Sequence, residues 1–282
     1  IFWAFIDKGD AALIPDPGYP IYTDGLALVE GEKIPLPLLS TNDFLPDFSQ
    51  LSPQQAQKAK LMILNYPNNP TTATAGPEFF DQVVEFASKY KIIVCHDAAY
   101  TELAYAGTKP VSFLQAEGAK EVGVEFHSLS KSFNLAGLRL GFVVGNARVI
   151  KALETIKTNI DYGSFRPFLK AGTMALSSCQ KTIETNQQTY KRRSEIWFKG
   201  CEEAGWDITR PRATMFVWAP VPTKQDSLSF VMDLARKSGV LLVPGVAFGE
   251  HGEGYVRIGL VQKEALLKEA VNRIKTFLLN ED

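Results

Sequence analysis

Cysteine is scarce in this sequence, apolar runs are short, and neither sign of charge is in excess. Cys95, Cys179 and Cys201 form no C-x-x-C pair and have no metal-like spacing, so we expect reduced thiols, no metal and a cytoplasmic protein. The longest apolar runs, such as residues 61–64, are far too short to span a bilayer, and no signal-peptide pattern opens the chain; no membrane partner is expected. Thirty basic and 31 acidic side chains give a formal charge of -1, which argues against nucleic acid as a partner. The expected ligand is a small molecule.

The chain is longer than one typical domain. Its 282 residues, of which 45% are hydrophobic and 22% charged, allow a sizeable core, and two domains are expected. The segment Ile1-Phe-Trp-Ala-Phe-Ile6 has no initiator methionine and reads as the middle of a buried helix. We therefore expect further residues upstream of Ile1 in the natural protein.

Hydrophobic periodicity predicts an α/β fold. Short apolar runs with β-branched residues are typical of buried parallel strands. They occur at residues 12–14, 61–64, 92–95, 124–126 and 140–144. A stretch of helical period around Phe79 to Ala87 lies between two of them. This repetition predicts a doubly wound, mostly parallel sheet, which we assign to a large domain of residues 1–178.

The C-terminal part follows a different pattern. From about Phe165 to about Ala204 the sequence is mainly helical, as expected for a connector between domains. Strands and helices then mix, which is typical of a smaller α+β domain, assigned with the connector to residues 179–282. The predicted strands are 215–219, 240–243 and 255–259, and the predicted helices are 228–237 and 263–279.

Polar residues just after the apolar runs are the candidates for a ligand site, because open parallel sheets bind ligands beyond the carboxyl ends of their strands. Lys131 follows such a run in a turn of small residues, where desolvation can lower the pKa of its amine and make it a nucleophile for a carbonyl. Arg139 in a glycine-flanked stretch, together with Ser128, could bind a phosphate dianion. Taken alone, a lysine of this kind is more often an exposed surface residue.

Asp97 follows the run at residues 92–95. An ionised carboxylate at the mouth of a buried strand needs a cation or a strong donor as its partner, and a protonated pyridine nitrogen is such a donor. Tyr100, three residues later, could reach the same ligand with its phenol. As an isolated feature, Asp97 is more often the N-cap of a helix.

Three further residues complete the candidate set. Asn69 lies in the turn NNPT, and Tyr19 follows the first strand, where it could stack on a flat ring. Arg257 alternates with apolar neighbours in a predicted strand and should face away from the core. That pattern alone fits a carboxylate clamp and a surface salt bridge equally well.

In this order, the motifs resemble those of the fold-type I pyridoxal-phosphate enzymes, the class I and II aminotransferases. The segment SLSKSFNLAGLRLG (residues 128–141) fits the lysine-site pattern of the family at every defined position, PNNPT and DAAY precede it, and YVRIGL follows it near the C-terminus. The resemblance covers nearly the whole chain. The segments YPNNPTTATA, VCHDAAY and VEFHSLSKSFN look most like those of bacterial LL-diaminopimelate aminotransferases and their alanine and aspartate relatives.

This resemblance implies a role for each candidate. Lys131 carries pyridoxal 5'-phosphate as a Schiff base and moves a proton between the substrate Cα and the cofactor C4′. Asp97 keeps the pyridine nitrogen protonated, so that the ring is an electron sink. The other implied roles are stacking by Tyr19, hydrogen bonding to the phenolic oxygen by Asn69 and Tyr100, phosphate binding by Ser128 and Arg139, and substrate binding by Asn69 and Arg257.

The implied function is amino-group transfer by a homodimer. The donor is an amino acid of the LL-diaminopimelate, alanine or aspartate type, and the acceptor is a 2-oxo acid such as 2-oxoglutarate. Two other functions are open on the same fold. One is a carbon-sulfur lyase, because an electron sink at Cα allows several outcomes; the other is the effector domain of a transcription regulator.

Two departures from the family pattern stand out. Thr72 follows PNNPT, where the family usually has glycine. The family also has an N-terminal region with a phosphate-binding loop, a tyrosine that reaches across the dimer and an arm that embraces the partner, and this sequence contains no counterpart of it. We therefore expect this chain alone to bind the cofactor poorly and to be inactive by itself.

Overall fold

The computed structural model describes residues 1–105, 107 and 109–279. Six strands form the larger sheet: β1 (Ala11–Asp16), β2 (Glu32–Pro37), β3 (Ala59–Asn65), β4 (Ile93–Asp97), β5 (Gly123–Ser128) and β6 (Gly141–Gly145). They lie in the order β2-β1-β3-β4-β5-β6. All neighbouring pairs are parallel except β5 and β6, which are antiparallel.

Both faces of the sheet are buried at its inner strands β1, β3 and β4, whereas the edge strands β2 and β6 are partly exposed. Successive residues of a strand point to opposite faces, so Met62 and Leu64 of β3 pack into one apolar cluster, while Leu61 and Ile63 pack into another. This arrangement explains why the sequences of the inner strands are mainly apolar instead of alternating.

Helices cover the two faces. In the first part of the chain they are α1 (Phe2–Phe5), α2 (Ile21–Ala27), α3 (Pro53–Lys58), α4 (Pro77–Tyr90), α5 (Ala119–Val122), α6 (Leu129–Ser132), α7 (Ala147–Ile160) and α8 (Arg166–Ser178). α4 buries Phe80 and Val83 in the first cluster, and its polar positions face outward. Tyr22 of α2 and Val149 of α7 belong to the second cluster. The sheet is therefore doubly wound, as the sequence predicts.

The C-terminal part builds a second sheet. Its elements are α9 (Gln180–Glu203), β7 (Phe216–Pro220), α10 (Ser227–Ser238), β8 (Val243–Pro244), β9 (Tyr255–Gly259) and α11 (Glu264–Leu279). The three strands are antiparallel in the order β7-β9-β8. Trp197, Phe230, Val256 and Ile274 share one core cluster. The predicted fold class, a mostly parallel α/β sheet followed by a smaller α+β unit, is confirmed.

Several details of the predicted elements are wrong. β2 was not expected, because its residues alternate between buried and exposed and include Pro35 and Pro37; an edge strand tolerates proline, since it needs a partner on one side only. The predicted connector helix is two helices, because the backbone of Cys179 (φ −111°, ψ 31°) leaves the helical region between α8 and α9. The predicted strand at 240–243 is reduced to β8, and residues 2–5 form one helical turn without a buried residue.

Three expectations concern the chain as a whole. The cysteines are free, with Cys95 and Cys201 buried. Within the described residues, no helix combines the length and the apolarity that crossing a membrane requires. The division into domains after residue 178 stays a prediction; α8 ends there, while α9 packs against both parts of the chain.

Candidate functional site

The carboxyl ends of β3, β4 and β5 meet at one edge of the large sheet. These strands end at Asn65, Asp97 and Ser128, and the parallel register pairs Asn65 directly with Asp97. The chain passes from β1 to β2 on one side and returns to β3 on the other. Open α/β sheets bind ligands beside such a reversal of strand order.

Asn65 joins two of the predicted site residues. Its Nδ2 donates to the main-chain carbonyl of Asp97 at 2.8 Å, and its Oδ1 accepts from the main-chain nitrogen of Asn69 at 2.8 Å. Because Asn65 is 1% exposed, losing either bond would leave a buried polar group unsatisfied. The Asn65 side chain therefore fixes Asn69 relative to the end of β4.

The turn that carries Asn69 is closed by Asn68. The Oδ1 of Asn68 accepts from the main-chain nitrogen of Thr71 at 2.9 Å and from its hydroxyl at 2.8 Å. Thr72 follows with a left-handed φ of 63°, a conformation that glycine adopts readily. This explains why the related pattern has glycine at that position. Threonine alters the ease of forming the turn and leaves Asn69 in place.

Asp97 already has two donors. Its Oδ2 accepts from the hydroxyl of Tyr22 at 2.7 Å, and its Oδ1 accepts from the main-chain nitrogen of Ala99 at 3.2 Å. Burial raises the pKa of Tyr22, and the charge of Asp97 raises it further, so the phenol stays a donor. A carboxylate can accept about four hydrogen bonds, which leaves Asp97 with capacity for a ligand.

Tyr100 is buried, whereas Tyr19 is 45% exposed. Burial raises the pKa of Tyr100 and Asp97 raises it further, while Arg257 acts in the opposite direction. The Tyr100 phenol is therefore a hydrogen-bond donor at neutral pH. Tyr19 lies edge-on to Tyr22, with 5.9 Å between the ring centroids, and keeps much of its surface accessible to a flat ligand.

Lys131 lies on α6, the single helical turn that begins where β5 ends. Burial lowers the pKa of its amine, and the positive charges of Arg139 and Arg257 lower it further, while Asp97 acts in the opposite direction. These four charged groups are therefore within electrostatic range of one another. A lowered pKa increases the neutral fraction of the amine, which is the form that attacks a carbonyl.

Ser128 and Arg139 flank this lysine. Ser128 Oγ accepts from the main-chain nitrogen of Ser130 at 3.2 Å, and Arg139 Nη1 donates to a carbonyl three residues earlier at 2.9 Å. Arg139 has a left-handed φ of 53°, which is uncommon for a residue other than glycine. Gly141 pairs with Ser128, and a Cβ at Gly141 would lie 2.7 Å from the carbonyl oxygen of His127. The close approach of β6 to β5 thus requires glycine and keeps Arg139 near Ser128.

The guanidinium of Arg257 lies between two phenyl rings. Its Cζ is 4.3 Å from the ring centroid of Phe216 and 4.6 Å from that of Phe248, and its Nη1 donates to Oδ1 of Asn69 at 2.7 Å. Its Nε is buried and has no hydrogen-bond partner within the described residues. The neighbours of Arg257 in β9 are buried, so the orientation predicted from the alternation is confirmed. A stacked, planar cation is well suited to a carboxylate.

The site therefore combines four kinds of chemical group. It has an amine with a lowered pKa, a carboxylate with spare acceptor capacity, a buried phenol and two guanidinium groups. This set suits a flat anionic ligand with a carbonyl and a basic ring nitrogen, next to a second ligand with a carboxylate. In the described part of the chain, no group of three or more metal-ligating side chains is arranged to hold an ion.

Two residues of this edge were not among the predicted site residues. Asn65 ends β3 just as Asp97 ends β4, so the search for polar residues after apolar runs could have identified it. Tyr22 lies three residues after Tyr19, and the helical spacing of the two tyrosines was the available signal. Neither signal indicates which partner the side chain reaches.

Comparison with known proteins gives a family match and close relatives. The family Aminotransferase class I and II matches residues 1–274. LL-diaminopimelate aminotransferase from Moorella thermoacetica is 47% identical over 274 residues, which are 97% of this chain and 70% of the relative. The enzyme of that name from Desulforudis audaxviator is 45% identical over 273 residues, again 97% and 70% of the two chains.

Solved structures share the fold. The substrate-bound structure of BacF from Bacillus subtilis superposes with a TM-score of 0.94 at 39% identity, covering 98% of this chain and 70% of that one. A probable N-succinyldiaminopimelate aminotransferase from Thermus thermophilus has a TM-score of 0.90 at 35% identity, covering 97% and 73%. The similarity therefore extends over both sheets.

The electrostatic setting of Lys131 leads to a test. Replacing Arg139 with Gln removes a positive charge that holds the pKa of Lys131 down, so the pKa should rise and the amine should react a few-fold more slowly at neutral pH. The measurement is the pH dependence of amine labelling at Lys131, followed by mass spectrometry of its peptide. Arg148→Gln, at an exposed position of α7, is the control. An unchanged labelling midpoint in Arg139→Gln would refute the electrostatic coupling.

Proposed function

Because the chain belongs to the class I and II aminotransferases, which use pyridoxal phosphate, we propose that the edge formed by β3, β4 and β5 is its cofactor and substrate site. The chain is a transaminase in family and fold, acting on amino acids and 2-oxo acids. The roles assigned to individual residues are part of this proposal. A cytoplasmic location is also proposed, in keeping with the free cysteines of the chain.

The side chains at this edge fit the cofactor. Lys131 combines a lowered pKa with a position between cations, which suits covalent attachment to a carbonyl. Asp97 has acceptor capacity left after Tyr22 and Ala99 for a protonated ring nitrogen. The guanidinium groups of Arg139 and Arg257 favour the negative charges that the cofactor phosphate and a substrate carboxylate would introduce.

Each group then has a defined task. When bound, the cofactor supplies an electron sink for the bond that breaks at the substrate Cα. Asp97 holds the ring nitrogen protonated, with Tyr22 fixing the carboxylate, and Tyr100 donates to the phenolic oxygen together with Asn69. The other tasks are stacking by Tyr19 and phosphate binding by Ser128 and Arg139.

Lys131 has two tasks, because its amine both anchors the cofactor and moves a proton. With a substrate bound, the Lys131 Nζ would take the proton from the substrate Cα and return it on the cofactor side. A lysine with a lowered pKa is suited to this task, since a base works best with a pKa near the working pH.

Arg257 and Asn69 are the proposed site for the α-carboxylate of the substrate. Arg257 Nη1 is held by Asn69, and its planar group is fixed by Phe216 and Phe248. A guanidinium fixed in this way loses little further freedom when it binds a carboxylate. Its buried, unpaired Nε provides a second donor for a bidentate contact.

The observation that carries the proposal is the convergence of Asp97, Arg139 and Arg257 on Lys131. The four residues come from three separate segments of the chain, and each has the chemical character that its proposed task requires. A surface lysine without function would not need such a setting.

We propose LL-diaminopimelate as the amino donor and 2-oxoglutarate as the acceptor. Relatives with the name LL-diaminopimelate aminotransferase are 45% and 47% identical over 97% of this chain. Several segments that border the site, such as those with Asn69, Asp97 and Lys131, also resemble the corresponding segments of LL-diaminopimelate aminotransferases.

We also propose that the protein acts as a homodimer. Tyr162 is 94% exposed and Phe165 is 65% exposed, and Leu169, Met174 and Leu176 of α8 are exposed beside them. A concentration of exposed apolar side chains of this kind marks an interaction surface. We propose a second copy of the chain as the partner at this surface, because most soluble oligomers are symmetric assemblies of identical chains.

Replacing Lys131 with Ala in the full-length protein tests the central assignment. We expect loss of the absorbance band of the bound cofactor and a fall in turnover of about 10²- to 10⁴-fold, the contribution of a positioned acid–base group. Lys268→Ala, at an exposed position of α11, should leave both unchanged. Full turnover and an unaltered band in Lys131→Ala would contradict the proposal.

A panel of amino donors, measured with the full-length protein, tests the substrate assignment. With 2-oxoglutarate as acceptor, LL-diaminopimelate should give a kcat/KM at least about tenfold above those of alanine and aspartate, a difference that one or two polar contacts provide. Formation of glutamate, measured in a coupled assay, reports the transfer. A higher kcat/KM for alanine or aspartate would overturn the choice of donor, and 2-oxo acid release without an acceptor would indicate lyase chemistry.

Sedimentation velocity tests the dimer. The unmodified protein should sediment as a dimer, and the double variant Tyr162→Ser/Phe165→Ser should sediment as a monomer, because it loses apolar contact area. Leu228→Ser, at an exposed position of α10, is the matched control. A monomeric unmodified protein, or a double variant that stays dimeric, would show that this surface has another role.

A further inference from the structure

A buried carboxylate beneath the site has more hydrogen-bond partners than any task described so far requires. Glu125 is 2% exposed. Its Oε2 accepts from the main-chain nitrogen of Phe113 at 2.9 Å and lies 3.0 Å from His96 Nδ1. Its Oε1 lies 2.8 Å from His127 Nε2, and Ser112 Oγ is 3.0 Å from both oxygens.

The partners of Glu125 determine its ionisation. Burial raises the pKa of Glu125, but the hydrogen bonds from His127 and His96 outweigh this effect and hold the pKa well below its usual range. An ionised carboxylate accepts and cannot donate. The hydrogen in the bond to His96 must therefore reside on Nδ1 of His96.

The second ring nitrogen of His96 has an acceptor as well. Its Nε2 lies 3.0 Å from the main-chain carbonyl oxygen of Tyr66, and a carbonyl oxygen can only accept. The side chain of His96 is fully buried, so no solvent is available to replace either partner. A neutral imidazole has one donor and one acceptor nitrogen, so it satisfies only one of these contacts, whereas an imidazolium satisfies both.

Two aromatic rings pack against His96. Phe80 lies at 5.2 Å and Phe113 at 6.3 Å between ring centroids. Both phenylalanines are buried, so they help to exclude water from the imidazole. A buried cation next to a buried carboxylate also avoids the high cost of an isolated buried charge.

We propose that His96 is a buried imidazolium and that the His96–Glu125 ion pair positions the three strand ends that form the site. His96 itself precedes Asp97 at the end of β4. Through Tyr66 it holds the segment that follows β3 and leads to Asn69, and through Glu125 it holds the end of β5 before Ser128. One ion pair therefore cross-links the segments that carry three proposed cofactor ligands.

This role differs from a catalytic one. His96 and Glu125 act through the main chain and touch neither the cofactor nor the substrate in the proposed site. His96 and Glu125 are paired in the β4–β5 ladder, which ends one residue later at Asp97 and Phe126. The carbonyl of Tyr66 lies one residue beyond the end of β3, so the bond from His96 reaches a segment that the ladder no longer holds. The inference rests on the proposed tasks of Asn69, Asp97 and Ser128, whereas the protonation state of His96 is independent of them.

The protonation state is measured on the protein loaded with pyridoxal phosphate. In a ¹⁵N-histidine NMR spectrum, His96 should show protons on both ring nitrogens at neutral pH. The chain has three histidines, so comparison with His127→Gln and His251→Gln assigns the signals. One protonated and one bare nitrogen at His96 would overturn the ion pair.

The positioning role is measured through cofactor affinity, followed by fluorescence titration with pyridoxal phosphate. Glu125→Gln should weaken binding about tenfold or more, comparable with the loss at metal sites when a supporting hydrogen bond is removed. Glu121→Gln, the same substitution at an exposed position of α5, is the matched control, because it removes no bond to His96. It should change the affinity less than about threefold, as an ordinary surface substitution does.

Equal effects of the two variants, or an unchanged affinity in Glu125→Gln, would contradict the positioning role. If Glu125→Gln does not fold, the double variant His96→Gln/Glu125→Gln removes both charges together, and the same tenfold loss is expected of it. The two proposals can fail separately. An unaltered cofactor band in Lys131→Ala would refute the role proposed for Lys131, but it would not change the NMR spectrum expected of His96.

Discussion

The geometry of the candidate site depends on the two hydrogen bonds of the Asn65 side chain. Asn65 ends β3 and joins the carbonyl of Asp97 on the neighbouring strand to the nitrogen of Asn69 in the following turn. Asn69 in turn accepts from Arg257, which belongs to the other sheet. A single buried amide thus links the end of β4, the turn and, through Asn69, the guanidinium, although Asn65 and Arg257 are far apart in sequence.

The charges of the site are unbalanced in a way that matches its proposed ligands. Arg139, Arg257 and Asp97 all act on Lys131, and the two guanidinium groups outnumber the one carboxylate. Burial lowers the pKa of Lys131 most, and the two guanidinium charges lower it further. Phosphate and carboxylate groups would bring the compensating negative charge, and the tyrosine phenols contribute donors without adding charge.

The parts that could be predicted from the sequence are those with a local signal. The apolar runs of β3 and β4 are buried on both faces, so their pattern is unambiguous, and the polar residues that follow them lie at the predicted edge. β2 escaped prediction because its exposed positions and prolines hide the strand pattern. The break at Cys179 depends on backbone angles at one residue, for which the surrounding helical pattern gives no signal.

Contacts between distant residues had no such signal. Tyr22 reaches Asp97 across 75 positions, and His96 faces Glu125 across 29. A tyrosine, a histidine or a glutamate in isolation fits many roles, and its partner becomes known only when the sheet brings the strands together. The chemistry of the family could therefore be inferred from motifs, while the residues that support the motif side chains required the structure.

The two rings that enclose Arg257 restrict how this part of the protein can diverge. Phe216 and Phe248 stack on the faces of a planar cation, and the tetrahedral ammonium of lysine offers no such faces. A change from arginine to lysine would therefore lose the stacking as well as the forked donors. During evolution, the arginine and its two rings should be retained or exchanged as a unit, and variation in substrate preference should arise at other positions.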